Sequence, residues 1–253
     1  MMPSGHRIAA ALAVMAGLLV APMPRALAQS CPAPLGDARR LVLVTAKTMN
    51  DMPAAMQLFE RASPTEPWRA TGPSEPVVLG RAGMGWSHFF RRYARTGEIM
   101  KVEGDKRAPA GVYPIGRSFG TVPSPRPGHI HVTDDTVCVY EPASPRYNTI
   151  TSRKLVGPHV SVENMSKALP MYRRGLVVDY PTDGKARAGS CIFIHVWRSP
   201  TTGTAGCVAM SEPRVEALQD FVAGGAVLAI LPEQALGRFG ACLPKPDGRV
   251  SSR

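Results

Sequence analysis

Backbone breakers decide what this chain can become. Its 253 residues carry 25 prolines and 24 glycines, so few stretches escape them for long enough to hold a helix. One stretch does. In "SEPRVEALQDFVAGG", Ser211 is placed to cap and Pro213 falls in the first turn, where a missing N–H costs nothing. Val215, Leu218 and Phe221/Val222 recur on one face, and Gly224-Gly225 stops the helix. Elsewhere the apolar runs are short and have strand character: "RLVLVTA", "EPVVLGRAGMGW", "YNTITSR", "GLVVDY" and "AVLAILP". "HIHVTDDTVCVYE" alternates with period two, and "GSCIFIHVW" is nearly continuous, as a central strand would be. "MNDMPAAMQLFERA" reads either as a short or broken helix, with Met52, Met56 and Phe59 apolar, or as a strand with a turn. "APAGVYPIGRSFG" sets Gly and Pro at turn spacing around short apolar pairs. The expected fold is mostly β, a sandwich or barrel, with one clear helix after Cys207. No repeat or linker divides it, so residues 29–253 are expected to form a single domain with its core at about 41–232 and an unstructured tail at 243–253.

The opening stretch, "MMPSGHRIAAALAVMAGLLVAPMPRALAQS", has a basic start at Arg7, an apolar run from Ile8 to Ala21 and then Ala26-Leu27-Ala28, the small-x-small spacing at which signal peptides are cut. The run is too short to span a bilayer, so residues 1–28 are expected to be a cleaved secretory signal that leaves no membrane anchor. The formal charge is +11, or +9 once Arg7 and Arg25 leave with that signal. A basic exported protein meets anionic surfaces rather than nucleic acid, and its Lys and Arg are scattered rather than run together. Nucleic acid is therefore not expected as a partner. Export also permits disulfides, but the five cysteines Cys31, Cys138, Cys191, Cys207 and Cys242 are odd in number, which leaves one over.

Local chemistry singles out Cys207. In "GTAGCVAMS" a small, flexible run delivers it just ahead of the expected helix, and His195 stands twelve positions earlier at the end of a strand. A thiol at a helix N-terminus would feel backbone N–H groups and the positive end of the dipole, both favouring thiolate. A His across a short loop would take the thiol proton and return it to a leaving group. The N–H groups of Gly206 and Cys207 are candidate oxyanion donors. The competing reading makes Cys207 half of a disulfide and His195 a packed core residue.

"GSCIFIHVWRSPTTGTAGCVAMS" closely resembles the catalytic motif of the L,D-transpeptidase (YkuD-like) family, in which a His is followed, after a variable loop, by Ser/Thr-x-Gly-Cys. Here those positions are His195 and then Thr204, Ala205, Gly206 and Cys207. "VEGDKRAPAGVYPIGRSFG" resembles the family's glycine-and-proline hairpin, and "YEPASPRYNTI", "ENM", "VVDY" and "VLGRAGMGW" resemble blocks of one bacterial branch. The likeness runs from about Leu41 to Pro232. It implies an enzyme, needing no cofactor, that acts on peptidoglycan stem peptides in the periplasm or at the cell wall. Cys207 would attack the carbonyl joining the L-centre of a diamino acid to a terminal D-residue, with His195 as base and then acid. The family often orients this His through a backbone carbonyl. Two positions depart from the family: Ala205 stands where His is frequent, and Ala209 where many members carry Arg. An Arg there would hold an anionic substrate group. Three outcomes stay open: transpeptidation, hydrolysis by an L,D-carboxypeptidase or amidase at the same site, and a wall-binding module without turnover.

With Cys207 reserved for chemistry, Cys31 with Cys242 and Cys138 with Cys191 is the favoured pairing, against the alternative that some thiols stay reduced and buried. Thr204, Ala205, Tyr113 and His88 are candidate substrate supports, with core or surface roles as the alternative for Tyr113, His88 and Trp197. Lys106, Arg107, Arg173 and Arg174 are placed to meet stem-peptide carboxylates or to be plain surface charges. Asp105 and Asp179 receive no catalytic role, and His159 reads as a loop residue. His129 and His131 share a strand face, but no third ligand has zinc-site spacing, so no metal is expected.

Overall fold

The structure, a computed structural model, describes residues 31–185 and 187–247. The secretory signal expected at residues 1–28 and the last six residues of the tail lie outside the described residues. In chain order the strands are β1 (Arg40–Ala46), β2 (Pro53–Glu60), β3 (Arg69–Ala70), β4 (Glu75–Val78), β5 (Met84–Trp86), β6 (Ala108–Gly120), β7 (Ile130–His131), β8 (Thr136–Val139), β9 (Ile150–Ser152), β10 (Val162–Asn164), β11 (Gly175–Val178), β12 (Phe193–Val196), β13 (Val208–Met210) and β14 (Val227–Pro232). Among the described residues the one α-helix is α1 (Glu212–Phe221).

The strands close on themselves. From β1 the ladder passes through β14, β6, β11, β12, β13, β4 and β2, and β2 pairs again with β1. Every strand of this ring has two neighbours, so none presents a free edge, which defines a closed, mostly β barrel. A separate small sheet, in the order β10, β8, β9, lies beside it. The core is built where the sequence is most apolar: β1 and β14 run parallel, with Leu41 opposite Val227 and Val44 opposite Ile230, all four buried. α1 lays Val215 and Leu218 inward against β11 and β12, and Gln219 Nε2 donates to the Gly175 carbonyl at 2.9 Å. That contact backs the strand that carries His195.

Several expectations are met and others corrected. "MNDMPAAMQLFERA" resolves as strand β2, with Met56 and Phe59 buried. The expected hairpin at "APAGVYPIGRSFG" is instead one strand of 13 residues. β6 hands successive stretches to different partners: residues 108–110 to β5, 111–114 to β14, 115–119 to β11 and 119–120 to β7. Its glycines and prolines serve these bends rather than a chain reversal. "HIHVTDDTVCVYE" splits into β7 and β8 at a turn, and β8 is buried on both faces rather than half-buried. The tail is ordered for longer than expected: Leu243 is buried, and Asp247 N–H donates to Gln57 Oε1 at 3.2 Å.

The favoured disulfides are both present, Cys31–Cys242 across a separation of 211 residues and Cys138–Cys191 across 53, and Cys207 is the free cysteine. Near the first bridge, Arg61 donates to the carbonyls of Leu35, Gly36, Ala38 and Pro64, and its guanidinium lies 4.2 Å from the centre of the Trp68 ring.

Candidate active site

His195 sits inside β12, and the chain returns through the loop at residues 197–207 to lay β13 alongside in parallel, with His195 opposite Ala209 and Ile194 opposite Val208. Side chains alternate along each strand, so Phe193 and His195 share a face with Cys207 and Ala209 on the neighbouring strand. On that face Phe119, Val132, Cys138, Met165, Tyr172, Phe193 and Cys207 form an apolar cluster separate from the main core. The Tyr172 ring stands edge-on to His195, centroids 5.4 Å apart and planes at 86°. The nucleophile candidate and its base are thus neighbours on one wall.

His195 Nδ1 lies 2.8 Å from the Val196 carbonyl. A carbonyl only accepts, so Nδ1 carries the proton and Nε2 is left with its lone pair, the tautomer a general base needs. The imidazole is therefore oriented by a backbone carbonyl. Burial holds the imidazole down to about 4, against a partial upward pull from the Val196 bond. Burial likewise pushes the Cys207 thiol up to about 12, and the Glu163 carboxylate adds to this, while the Phe193 backbone N–H and Lys101 pull the other way. Both groups rest neutral near pH 7. The Cys207 thiol points at the Cys191 carbonyl, 3.5 Å away, and among the described residues no thiol–imidazole hydrogen bond is formed. Any transfer of the thiol proton to His195 would first require the thiol to turn from Cys191.

The helix-terminus argument for Cys207 does not hold. β13 stands between the cysteine and α1, and the dipole's influence fades within the first turn. The oxyanion expectation is corrected in part. Gly206 N–H donates to Thr204 Oγ1 at 3.0 Å, so it is turned into its own loop. Thr204 Oγ1 in turn donates to the Cys207 carbonyl at 2.7 Å, and the Thr204 backbone is fixed to Leu79 and Arg81. Thr204 is thus a staple of the loop that delivers Cys207. Gly206 is required for another reason: its φ is +146°, and a Cβ there would stand 2.9 Å from the Arg107 carbonyl. Ala205 is exposed at the loop's rim.

Other candidates are placed elsewhere. Tyr113 is fully buried in the main core between Phe90 and Tyr180, so it does not shape the cleft. His88 is exposed on the 3-10 turn His88–Tyr93 with Arg91 Nη2 3.2 Å from its ring, and no contact among the described residues joins it to Cys207 or His195. Trp197 packs partly buried on the main core. Arg107 is bonded to Met49, Asn50 and Met84 and is not free for substrate. Arg173 and Arg174 pair with Glu212 and Glu216 on α1. His129 Nδ1 is 2.9 Å from Ser118 Oγ, and the described residues hold no group of three His, Cys, Asp or Glu suited to a metal.

Three residues at the site escaped the sequence. Lys101, buried, reaches the neighbourhood of Cys207 while bonded to Asp105 Oδ1 at 2.6 Å and to the Val102 carbonyl. Tyr172 packs on His195, and its hydroxyl donates to Glu163 Oε2 at 2.9 Å. Glu163 lay in plain view in the block "ENM", and Tyr172 beside the two arginines that drew attention instead; each is brought to Cys207 only by tertiary folding.

With this geometry in place, comparison with known families is decisive. The L,D-transpeptidase catalytic domain (YkuD) model matches residues 69–230. The chain belongs to the YkuD L,D-transpeptidase catalytic-domain family, whose role is in peptidoglycan. Comparison with curated proteins gives no match. Among solved structures the helical cell shape determining protein Pgp2 from Campylobacter jejuni is similar, at 17% identity and a TM-score of 0.39, with 77% of this chain and 48% of that chain covered. The chain thus spans about half the length of that protein. Among the described residues no helix is long and apolar enough to cross a membrane.

Proposed function

We propose that this chain is an exported cysteine acyltransferase that acts on peptidoglycan stem peptides. The observation that carries the reading is the single free thiol, Cys207, on one wall with an imidazole whose Nδ1 is locked by the Val196 carbonyl. In the first half-reaction the Cys207 proton passes to His195 Nε2 as the sulfur bonds to the carbonyl carbon between a diamino acid's L-centre and a terminal D-residue. The carbonyl oxygen takes the negative charge, toward the Cys207 backbone N–H. Collapse breaks the C–N bond, the D-residue leaves as an amine with the proton from His195, and a thioester remains. An amine of a second stem peptide or a water then attacks, returning its proton through His195 to sulfur.

Hydrolysis is the second reading, and Ala209 favours it. That residue is fully buried in β13 between His195 and Val78, and it offers no guanidinium to an anionic group of an acceptor. The experiment is to incubate the purified protein with defined tetrapeptide muropeptides, with and without an amine acceptor, and to identify products by mass. Loss of the terminal D-residue with cross-linked product supports transpeptidation; loss without cross-links supports the hydrolase. Cys207→Ala is expected to abolish both. Full turnover by that variant, or no turnover by the wild type, overturns the reading and leaves a wall-binding module.

A further inference from the structure

The mechanism above leaves one acidic side chain at the site unused. Glu163 in β10 lies opposite Cys138 in β8, and directly paired residues emerge on the same face of a sheet. Cys138 is bridged to Cys191, whose carbonyl faces the Cys207 thiol. The register and the disulfide together turn the Glu163 carboxylate toward the nucleophile. One of its oxygens accepts from the Tyr172 hydroxyl, which is attached to the ring packed against His195. Among the described residues the other oxygen accepts no hydrogen bond, and no Lys, Arg or His pairs with the carboxylate. The nearby cation, Lys101, is already committed to Asp105 and the Val102 carbonyl. A partly buried carboxylate with one neutral donor and no counter-charge is an expensive arrangement unless a cation completes it.

Resting on the acyltransferase reading, we propose that Glu163 is a specificity residue that receives the side-chain ammonium of the diamino acid in the donor stem peptide. The same residue that offers its carbonyl to Cys207 carries that ammonium at the far end of its side chain, so one amino acid would occupy both the thiol and the carboxylate. Docking would also act on the nucleophile. Glu163 opposes the thiolate at Cys207, and an ammonium seated against it cancels that opposition. The thiol is thereby favoured as a nucleophile when the correct side chain is in place, and a stem peptide without the amine finds the site less reactive.

The test compares two tetrapeptides that differ only in the third residue, lysine against norleucine, so that the amine is the one variable. For the wild type kcat/KM is expected to favour the lysine peptide by about tenfold or more, the scale of a charge-assisted hydrogen bond. Glu163→Gln keeps an acceptor for Tyr172 and is expected to bring the ratio near one, chiefly by losing rate on the lysine peptide. A wild type indifferent to the amine, or a Glu163→Gln variant that keeps the preference, overturns the proposal. So does an equal fall on both peptides in Glu163→Gln matched by Tyr172→Phe, which would make Glu163 a positioning residue for Tyr172 alone. If the wild type cleaves neither peptide, the acyltransferase reading fails, and the subsite is read separately from protection of Cys207 against iodoacetamide. The lysine peptide is expected to protect at lower concentration than the norleucine peptide, and Glu163→Gln to erase that difference; equal protection in the wild type overturns the subsite.

Discussion

His195 and Cys207 are both held in their uncharged forms by burial, and each leaves a mark on the pH dependence of stability. An imidazole at about 4 rather than the usual 6.5 means that the unfolded chain takes up its proton first as pH falls. The contribution is whole above pH 6.5 and drains away as pH drops toward 4, on the order of 3 kcal/mol. The thiol works at the opposite end: at about 12 rather than 9, its contribution is whole below pH 9 and is lost as pH climbs toward 12. Urea-unfolding midpoints measured against pH are expected to fall on the acid side, and His195→Gln to flatten that limb; an unchanged acid limb would show that the imidazole is not buried neutral. Alkylation of Cys207 is correspondingly expected to quicken with pH throughout the range up to 10, with no plateau near neutrality. Gly206→Ala forces a Cβ toward the Arg107 carbonyl at a φ that L residues avoid. Turnover is expected to fall more than tenfold, with the melting temperature shifted by a few degrees only.

Among the elements, the small sheet β10-β8-β9 matters most for the site, because it brings Glu163 to the barrel and is tied there by Cys138–Cys191. Replacing both cysteines of that bridge by serine is expected to destabilise the chain by roughly 2–5 kcal/mol and to slow Cys207 chemistry further, since the sheet that carries Glu163 loses its tie. Calorimetry beside turnover separates the two effects. This is also the scale at which the sequence was partly legible. Strands and the helix were readable wherever period and punctuation agreed, as in "RLVLVTA", "AVLAILP" and "SEPRVEALQDFVAGG". Reading failed where glycine and proline bend a strand without reversing it, as in β6, and where a three-residue strand, β13, hides between a cysteine and a helix. His195 and Cys207 were legible because the motif is contiguous. Tyr172 and Glu163 were not, since separate loops deliver them and no local pattern links them to the thiol. Tyr113 stayed open between cleft and core, because an aromatic in a strand looks the same from sequence whichever it faces.

For the whole molecule, the bridge Cys31–Cys242 joins regions 211 residues apart, and the clamp of Arg61 on four carbonyls lies close by. Serine at both cysteines is expected to lower the melting temperature by about 5–15 °C while leaving Cys207 alkylation at 25 °C little changed, because this bridge lies apart from the catalytic wall. The charge, +11 in full and +9 without residues 1–28, is expected to favour sedimentation with isolated sacculi at low salt and release as ionic strength rises; salt-independent binding would point to a specific contact instead. The ring of strands carries one more consequence. Its first member, β1, is completed on one side by its last, β14. A chain still emerging from the ribosome therefore lacks the stave that shuts the cask, and premature stops before residue 227 should yield protease-sensitive fragments instead of smaller folded barrels.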